Sequence, residues 1–249
     1  MTVQEVFASL NRLAPVETAL DFDNVGLLVG SKDVEVSQIL VALDITDEVV
    51  EEAVRTKSNL IVAHHPIIFS PLPAVEAESI VGRLLQNGIS AICMHTNLDA
   101  AKGGVNDALA TLLGLSEVTV PEEDPLMRIG TVPTCDLQDF LKQVCAKLGL
   151  PTVKYRGTDK VSKVGLCGGS ACEGAALAYS LGCDTYITGE VKHHIWLEPG
   201  RNLIEAGHFA TENPVCETLV SYLMQEFSQV SVSIAESNRD PASYFIRKE

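Results

Sequence analysis

The sequence is poor in positive charge. Its 18 Lys and Arg stand against 33 Asp and Glu, a formal charge of −15 at pH 7 over 249 residues. Neutralising a phosphate backbone takes clustered basic side chains, so a nucleic-acid surface is disfavoured. Long apolar runs are also missing: none approaches the roughly 18 residues of a membrane-crossing helix. Met1-Thr2-Val3-Gln4-Glu5 lacks the basic-then-apolar order of an export signal, so a cytoplasmic chain without membrane contact is expected. Seven cysteines make an odd number, and no pair has CxxC spacing, which speaks against a disulfide framework and for free thiols. There is no GxxxxGK[ST] run and hence no P-loop. Aromatics are only 5% of residues, and Trp196, the single tryptophan, reads as a packing or interface residue rather than a base-stacking platform. Histidine is scarce as well, with six in all, yet four of them form two adjacent pairs, His64-His65 and His193-His194.

What is present suits an ordinary globular chain. With 46% hydrophobic residues and a prior of about 150 residues per domain, one large domain or two small ones are expected. Thr2 and Glu5 form a capping-box pattern that opens an amphipathic helix to about Leu13, and Leu27 to Gly30 reads as a short strand. Gln38–Ala42, Asp47–Thr56 and Asn59–Ala63 then read as strand, helix and strand. Val81–Asn87 is a helix, Gly88–Met94 a buried strand and Val105–Leu113 another helix. The acidic segment Pro121-Glu122-Glu123-Asp124-Pro125 looks like a boundary, giving a first half over 1–124 and a second over 125–249, whose last elements could pack back on the first.

The second half repeats the order: a helix over Leu137–Leu148, a strand over Val161–Leu166, a helix over Cys172–Leu181 and a strand over Asp184–Thr188. A strand at Leu203–Ala206, a helix at Pro214–Phe227 and a strand at Val230–Ile234 follow, and a polar tail runs from 236 to 249. Buried strands alternating with helices predict an α/β fold of two similar domains with mostly parallel sheets packed by helices. Each half places a His-His pair, and later a His-x3-acid motif (His95 with Asp99, His208 with Glu212), beyond the carboxyl ends of strands, where such sheets bind ligands.

His64, His65, His95, Asp99, His208 and Glu212 are residue types that hold Zn, Mn, Fe or Co, and together they suffice for a two-metal site. Pro66 supports a backbone turn after the first pair, since proline cannot continue a central strand. Cys167-Gly168-Gly169-Ser170 reads either as a plain tight turn or as an anion cradle at a helix start. Asp23 and Asn24 lie in a polar loop that either reaches the site or is a solvated turn. His193, His194 and Glu190 either line the same cleft or lie at the surface.

Six motifs carry a resemblance to a known family. They are Asp23-Asn24-Val25-Gly26-Leu27, Ala63-His64-His65-Pro66, His95-Thr96-Asn97-Leu98-Asp99, Cys167-Gly168-Gly169-Ser170, Thr188-Gly189-Glu190 through His194, and Gly207-His208-Phe209-Ala210-Thr211-Glu212. In this order they resemble the GTP cyclohydrolase 1 type 2 homologs, also called Ngg-one-interacting-factor-three-like proteins, over nearly the whole chain. The resemblance implies two α/β domains, a dinuclear metal site in the inter-domain cleft and a ring-shaped homohexamer. It also implies the compact form, because the stretch from Pro121 to about Lys160 leaves no room for the domain that longer relatives insert. By motif position His65 and Asp99 would bind one divalent ion, His64 and His208 the other, and Glu212 would bridge them; Zn, Mn, Fe, Co and Ni all suit such ligands.

The implied activity is metal-dependent hydrolysis of a small molecule, by hydroxide generated at the ions. It would be either GTP ring opening at C8 or hydrolysis of another nucleotide or phosphoester, with His95 and Glu190 handling protons. The alternative is a non-catalytic metal-loaded ring acting in sequestration, ligand sensing or scaffolding.

Overall fold

The structure is a computed structural model that describes residues 1–158 and 160–245. In chain order the first elements are α1 (Val3–Leu13), β1 (Gly26–Val29), β2 (Gln38–Ala42), α2 (Asp47–Thr56), β3 (Leu60–Ala63), α3 (Ile80–Gln86), β4 (Ser90–Cys93), α4 (Thr96–Ala100), α5 (Val105–Leu113) and β5 (Ser116–Thr119). Then come β6 (Arg128–Cys135), α6 (Leu137–Leu148), β7 (Lys154–Arg156), β8 (Val161–Leu166), α7 (Gly174–Ser180), β9 (Thr185–Thr188), β10 (Asn202–Glu205), α8 (His208–Glu212), α9 (Pro214–Glu226) and β11 (Ser231–Ile234). The helix at the amino end starts as expected: Glu5 N donates to Thr2 Oγ1 at 3.3 Å, and Thr2 N donates back to Glu5 Oε2 at 2.7 Å.

The chain forms two units. Met1–Gly104 with Val215–Arg239 make the first, and Val105–Pro214 with Asp240–Glu249 the second. In the first, the sheet order is β1-β4-β3-β2-β11, with β4, β3, β2 and β11 parallel and β1 antiparallel at the edge. Every residue of β3 and β4 is buried, as the continuous apolar runs predict for strands covered on both faces. Leu40, Ile61 and Ala63 pack with Val49, Ala53 and Leu84 from the helices to make its core. The last strand, β11, pairs with β2 in parallel.

Glu52 of α2 holds that returning segment. It is 6% exposed, and its carboxylate accepts from Glu236 N and Ser237 N, both at 2.9 Å, and from Ser237 Oγ at 2.6 Å. Burial alone would raise its pKa, but these donors outweigh it and hold the carboxyl below its ordinary 4.5. A depressed folded-state pKa gives stability that is fully present above the unfolded value and is lost as pH falls through the folded one. Glu52→Gln is therefore expected to cost about 1.5–3 kcal/mol at pH 7, the range for hydrogen bonds to a charged group. The gap in melting temperature between wild type and variant should close as pH drops below 4.5; a gap that does not change with pH would sink this account.

The second unit has the order β5-β6-β8-β9-β10-β7. Its centre, β8-β9-β10, is parallel, whereas β5, β6 and β7 join antiparallel. These three flanking strands are absent from the sequence reading for physical reasons. β5 is exposed at all four residues, β7 is a three-residue edge, and β6 carries Pro133 inside a register shift between Thr131 and Cys135. Proline without an N–H is tolerated only at such an irregularity.

The division between units falls at Gly104/Val105 rather than at 124/125. Leu109, Ala110 and Leu113 of α5 pack with Phe140, Leu141 and Val144 of α6, which commits α5 to the second core. The acidic stretch 121–125 is simply the connection from β5 to β6; charge marks a solvated loop whether it joins domains or strands. The last residues of the polar tail, 246–249, lie outside the described residues.

The expected repeat exists in the topology. β2-β3-β4 and β8-β9-β10 are parallel triplets in the same order, each flanked beyond its third strand by an antiparallel one, β1 or β7. No helix among the described residues is long and apolar enough to cross a membrane.

Candidate metal centre

In the first unit, three imidazoles gather where β3 and β4 end. His64 and His65 follow Ala63, and His95 stands just before α4. One ring nitrogen from each lies within 4.8 Å of the others, and ring centroids are 4.9 to 5.6 Å apart. Each ring is tethered through Nδ1. His64 Nδ1 is 2.9 Å from Met94 O, His65 Nδ1 2.7 Å from Asp44 Oδ1, and His95 Nδ1 2.9 Å from Asp23 Oδ1. With the proton on Nδ1 facing an acceptor, the Nε2 lone pair becomes the metal-binding atom. His64 Nε2 lies 3.8 Å from Asp99 Oδ1 on α4.

The loop before β1 therefore reaches the site. Asp23 is fully buried at its side chain, and its other oxygen accepts from Thr96 N at 2.9 Å and Thr96 Oγ1 at 2.5 Å, so one carboxylate caps α4 and aims His95. Burial raises the Asp23 pKa, but the Thr96 and His95 donors prevail and keep it low. His95 is lowered by burial first and then by the neighbouring His64, against the pull of Asp23, so it stays neutral at pH 7.

In the second unit His208 opens α8. Its Nδ1 is 2.9 Å from Glu190 Oε1, and its Nε2 is 3.0 Å from the buried Glu212 Oε2 one helical turn on. Glu190 also accepts from Ser170 Oγ, and that bond is the first reason its carboxyl is held low. The arrangement matches the first unit: an outer acceptor on Nδ1 and a carboxylate facing Nε2.

The glycine turn at 168–169 serves Glu212. A Cβ on Gly169 would sit 2.1 Å from Glu212 Oε1, and one on Gly168 would sit 3.2 Å from Glu212 Cγ. Of the two readings of this turn, the plain tight turn is favoured over the anion cradle, because three of its N–H groups are already used. Gly168 N donates to Asn106 Oδ1 at 2.8 Å, Gly169 N to Thr211 Oγ1 at 3.1 Å and Ala171 N to Thr188 Oγ1 at 3.3 Å.

Gly169→Ala is expected to displace Glu212 and weaken metal binding roughly 10- to 100-fold, the scale of a disturbed supporting shell. Gly149→Ala is the control. Both glycines have positive φ, 61° and 66°, but nothing lies within 4 Å of a Cβ at Gly149, so that variant carries the backbone strain alone. Metal titrations that cannot tell the two variants apart would refute the packing argument.

Laying the triplets together changes which residues correspond. Met94 N donates to Ala63 O and Ala206 N to Thr188 O, both at 2.9 Å, so Ala63 matches Thr188. His64-His65 then correspond to Gly189-Glu190, and not to His193-His194, which stand exposed in a 3-10 turn. No histidine could occupy position 189: its Cβ would lie 2.6 Å from Gly169 O and 2.8 Å from His208 Cα. The two His-x3-acid motifs are also one residue out of step, because His95 precedes α4 while His208 is the first residue of α8. His95 accordingly pairs with Asp23, and it is His64 that faces Asp99.

The donors fit a divalent metal of borderline or hard character: imidazole nitrogen and carboxylate oxygen, with orienting partners already in place. Thiolate ligation is not offered; Cys93, at the end of β4, is pushed up to about 12 by burial. Asp44, which orients His65, was missed by the sequence reading although it stands just past the end of β2, at the same edge of the sheet.

Fold and site together define a class: an α/β protein with histidine and carboxylate groups that could hold metal at the carboxyl ends of its parallel strands. The chain belongs to the Duf34/NIF3 (NGG1p interacting factor 3) family, whose model matches residues 1–241. It is 30% identical over 98% of its length to all of a GTP cyclohydrolase 1 type 2 homolog from Clostridium perfringens. It is also 34% identical over 84% of its length to 86% of the Lactococcus lactis protein of the same description. A crystal structure of Staphylococcus aureus protein SA1388 superposes with a TM-score of 0.91 at 31% identity, covering 98% of this chain and 99% of that one.

Proposed function

We propose that the chain binds two divalent ions and hydrolyses a small molecule with them. The substrate class is a nucleotide or another phosphoester, and GTP ring opening is the specific form that the relatives' description suggests. In place of the pairing implied by motif position, His64 and Asp99, which face each other at 3.8 Å, are assigned to one ion and His65 and His208 to the other, with Glu212 shared. The observation that carries the reading is the common tether: His64, His65, His95 and His208 each have Nδ1 against an oxygen acceptor, which leaves Nε2 as the binding atom. Ions held this way supply Lewis acidity and lower the pKa of water.

The chain's own groups do the rest. Asp23 keeps the proton of His95 on Nδ1, so neutral His95 can accept a proton at Nε2 close to the other imidazoles. Glu190 is assigned to orienting His208, because a carboxyl held low is a poor proton donor at pH 7. We also propose a homohexameric ring.

Metal analysis of the purified protein, with turnover of GTP and a panel of phosphoesters before and after chelation, tests the reading. Two ions per chain and chelator-sensitive turnover are expected. Bound metal without turnover of any of these substrates would favour the sequestration or scaffolding reading instead, and a protein that retains no metal would remove both. Sedimentation mass decides the ring.

A further inference from the structure

Two exposed aromatic rings stand beside the histidine cluster of the first unit. Phe22 is 62% exposed and Phe69 52%, in a chain whose aromatics are only 5% of residues. Their ring centroids are 6.2 Å apart with planes at 54°, and Phe69 meets the His95 ring edge-on at 6.4 Å. Leaving two phenyl rings in water forgoes burial that a core position would provide, so their placement calls for a ligand or a partner.

The two loops that carry them are fixed to each other and to the site. Asn24 Nδ2 donates to Ile68 O at 2.5 Å, which ties the residue after Asp23 to the residue before Phe69. Asp23, next to Phe22, bonds His95 and Thr96, and Leu20 N donates to Thr96 Oγ1 at 2.9 Å. Pro66, Pro71 and Pro73 restrict the second loop further. The rings are thus held in position before any ligand arrives, which lowers the ordering cost of binding.

Resting on the proposed hydrolase reading, we propose that Phe22 and Phe69 form a stacking platform for the planar heteroaromatic ring of the substrate, which places a nucleobase or similar ring next to His95. Continuity with the cluster favours this occupant over a second copy of the chain: Phe69 touches His95, and His95 lies within ligand distance of His64 and His65. A phenyl face accepts any base, so the platform provides ring selection without hydrogen-bond readout, and its loss should show in binding of the base.

The test compares ligands that differ only in the ring. Binding of GMP, CMP and ribose 5-phosphate is measured calorimetrically on full-length protein, for wild type, Phe22→Leu, Phe69→Leu and Phe69→Tyr, with metal content and sedimentation mass recorded for each. The nucleotides should bind wild type more tightly than ribose 5-phosphate by roughly 5- to 100-fold, the scale of removing one base-stacking ring. The leucine variants should lose most of that preference while keeping their metal and their ribose 5-phosphate affinity, and Phe69→Tyr should retain it. Equal binding of all three ligands by wild type, or full preference in the leucine variants, overturns the platform. A fall in oligomer mass in the leucine variants, with the preference intact, would assign the rings to a subunit interface. Base preference in protein that holds no metal would leave the platform standing and sink the hydrolase reading alone.

Discussion

His65→Ala is expected to reduce both metal affinity and chelator-sensitive turnover by more than about 100-fold, and Asp44→Asn by about 10- to 100-fold. The order follows from what each side chain does. His65 offers Nε2 itself, whereas Asp44 sets which nitrogen is available: its Oδ1 is 2.7 Å from His65 Nδ1 and holds the ring in one tautomer. Asparagine keeps the size of Asp44 but can turn its amide N–H toward His65, which favours the tautomer with the proton on Nε2. His65 is 24% exposed at its side chain and Asp44 40%, so neither change removes core packing, and both variants should melt close to wild type. Metal titration combined with melting curves separates the roles. An Asp44→Asn variant as damaged as His65→Ala, or as sound as wild type, would contradict the tethering account.

The largest stability effect is expected at Arg128. This guanidinium is 1% exposed in β6, ion-paired through Nε to Asp107 of α5, and its Nη1 donates to the carbonyls of Pro125, Leu126 and Met127 at 2.9, 3.2 and 3.2 Å. It therefore pins the acidic loop onto the helix that opens the second unit. Arg128→Ala removes a buried charge partner from Asp107 and the donor from three carbonyls, and it leaves a void where a long side chain lay. Breaking a buried pair from one side costs about 3–5 kcal/mol, which in a chain of this size is a fall of roughly 6–20 °C in melting temperature. The charge of Asp107 matters more than the volume, so Arg128→Met should recover only part of the loss. A shift of less than about 2 °C would show that the pair is solvated and contributes little.

Much of the fold could be read from the chain because its signals are local. The buried runs 38–42, 60–63 and 90–93 are continuous, α2 and α6 have helical spacing, and each lies where the pattern puts it. The failures share a cause. β5 and β7 are exposed edge strands with nothing to bury, and β6 hides behind Pro133, whose tolerance depends on a register shift made with β8. Whether α5 joined the first or the second unit depended on which core its apolar face met, and both halves offered one.

The sequence by itself determined the candidate donor set: His64, His65, His95, Asp99, His208 and Glu212 lie at or just beyond strand ends because hydrophobic runs stop there, and their residue types are ones that could hold a metal ion. Only the tertiary structure decided the pairing. Motif position put His65 with Asp99, yet His64 faces Asp99, His95 turns to Asp23, and His193-His194 give up their apparent place to Gly189-Glu190. Spacing gives a residue's position along a strand or helix. The direction of its side chain beyond the strand end depends on how the backbone turns there and on which acceptor waits at Nδ1, and residues distant in sequence supply both.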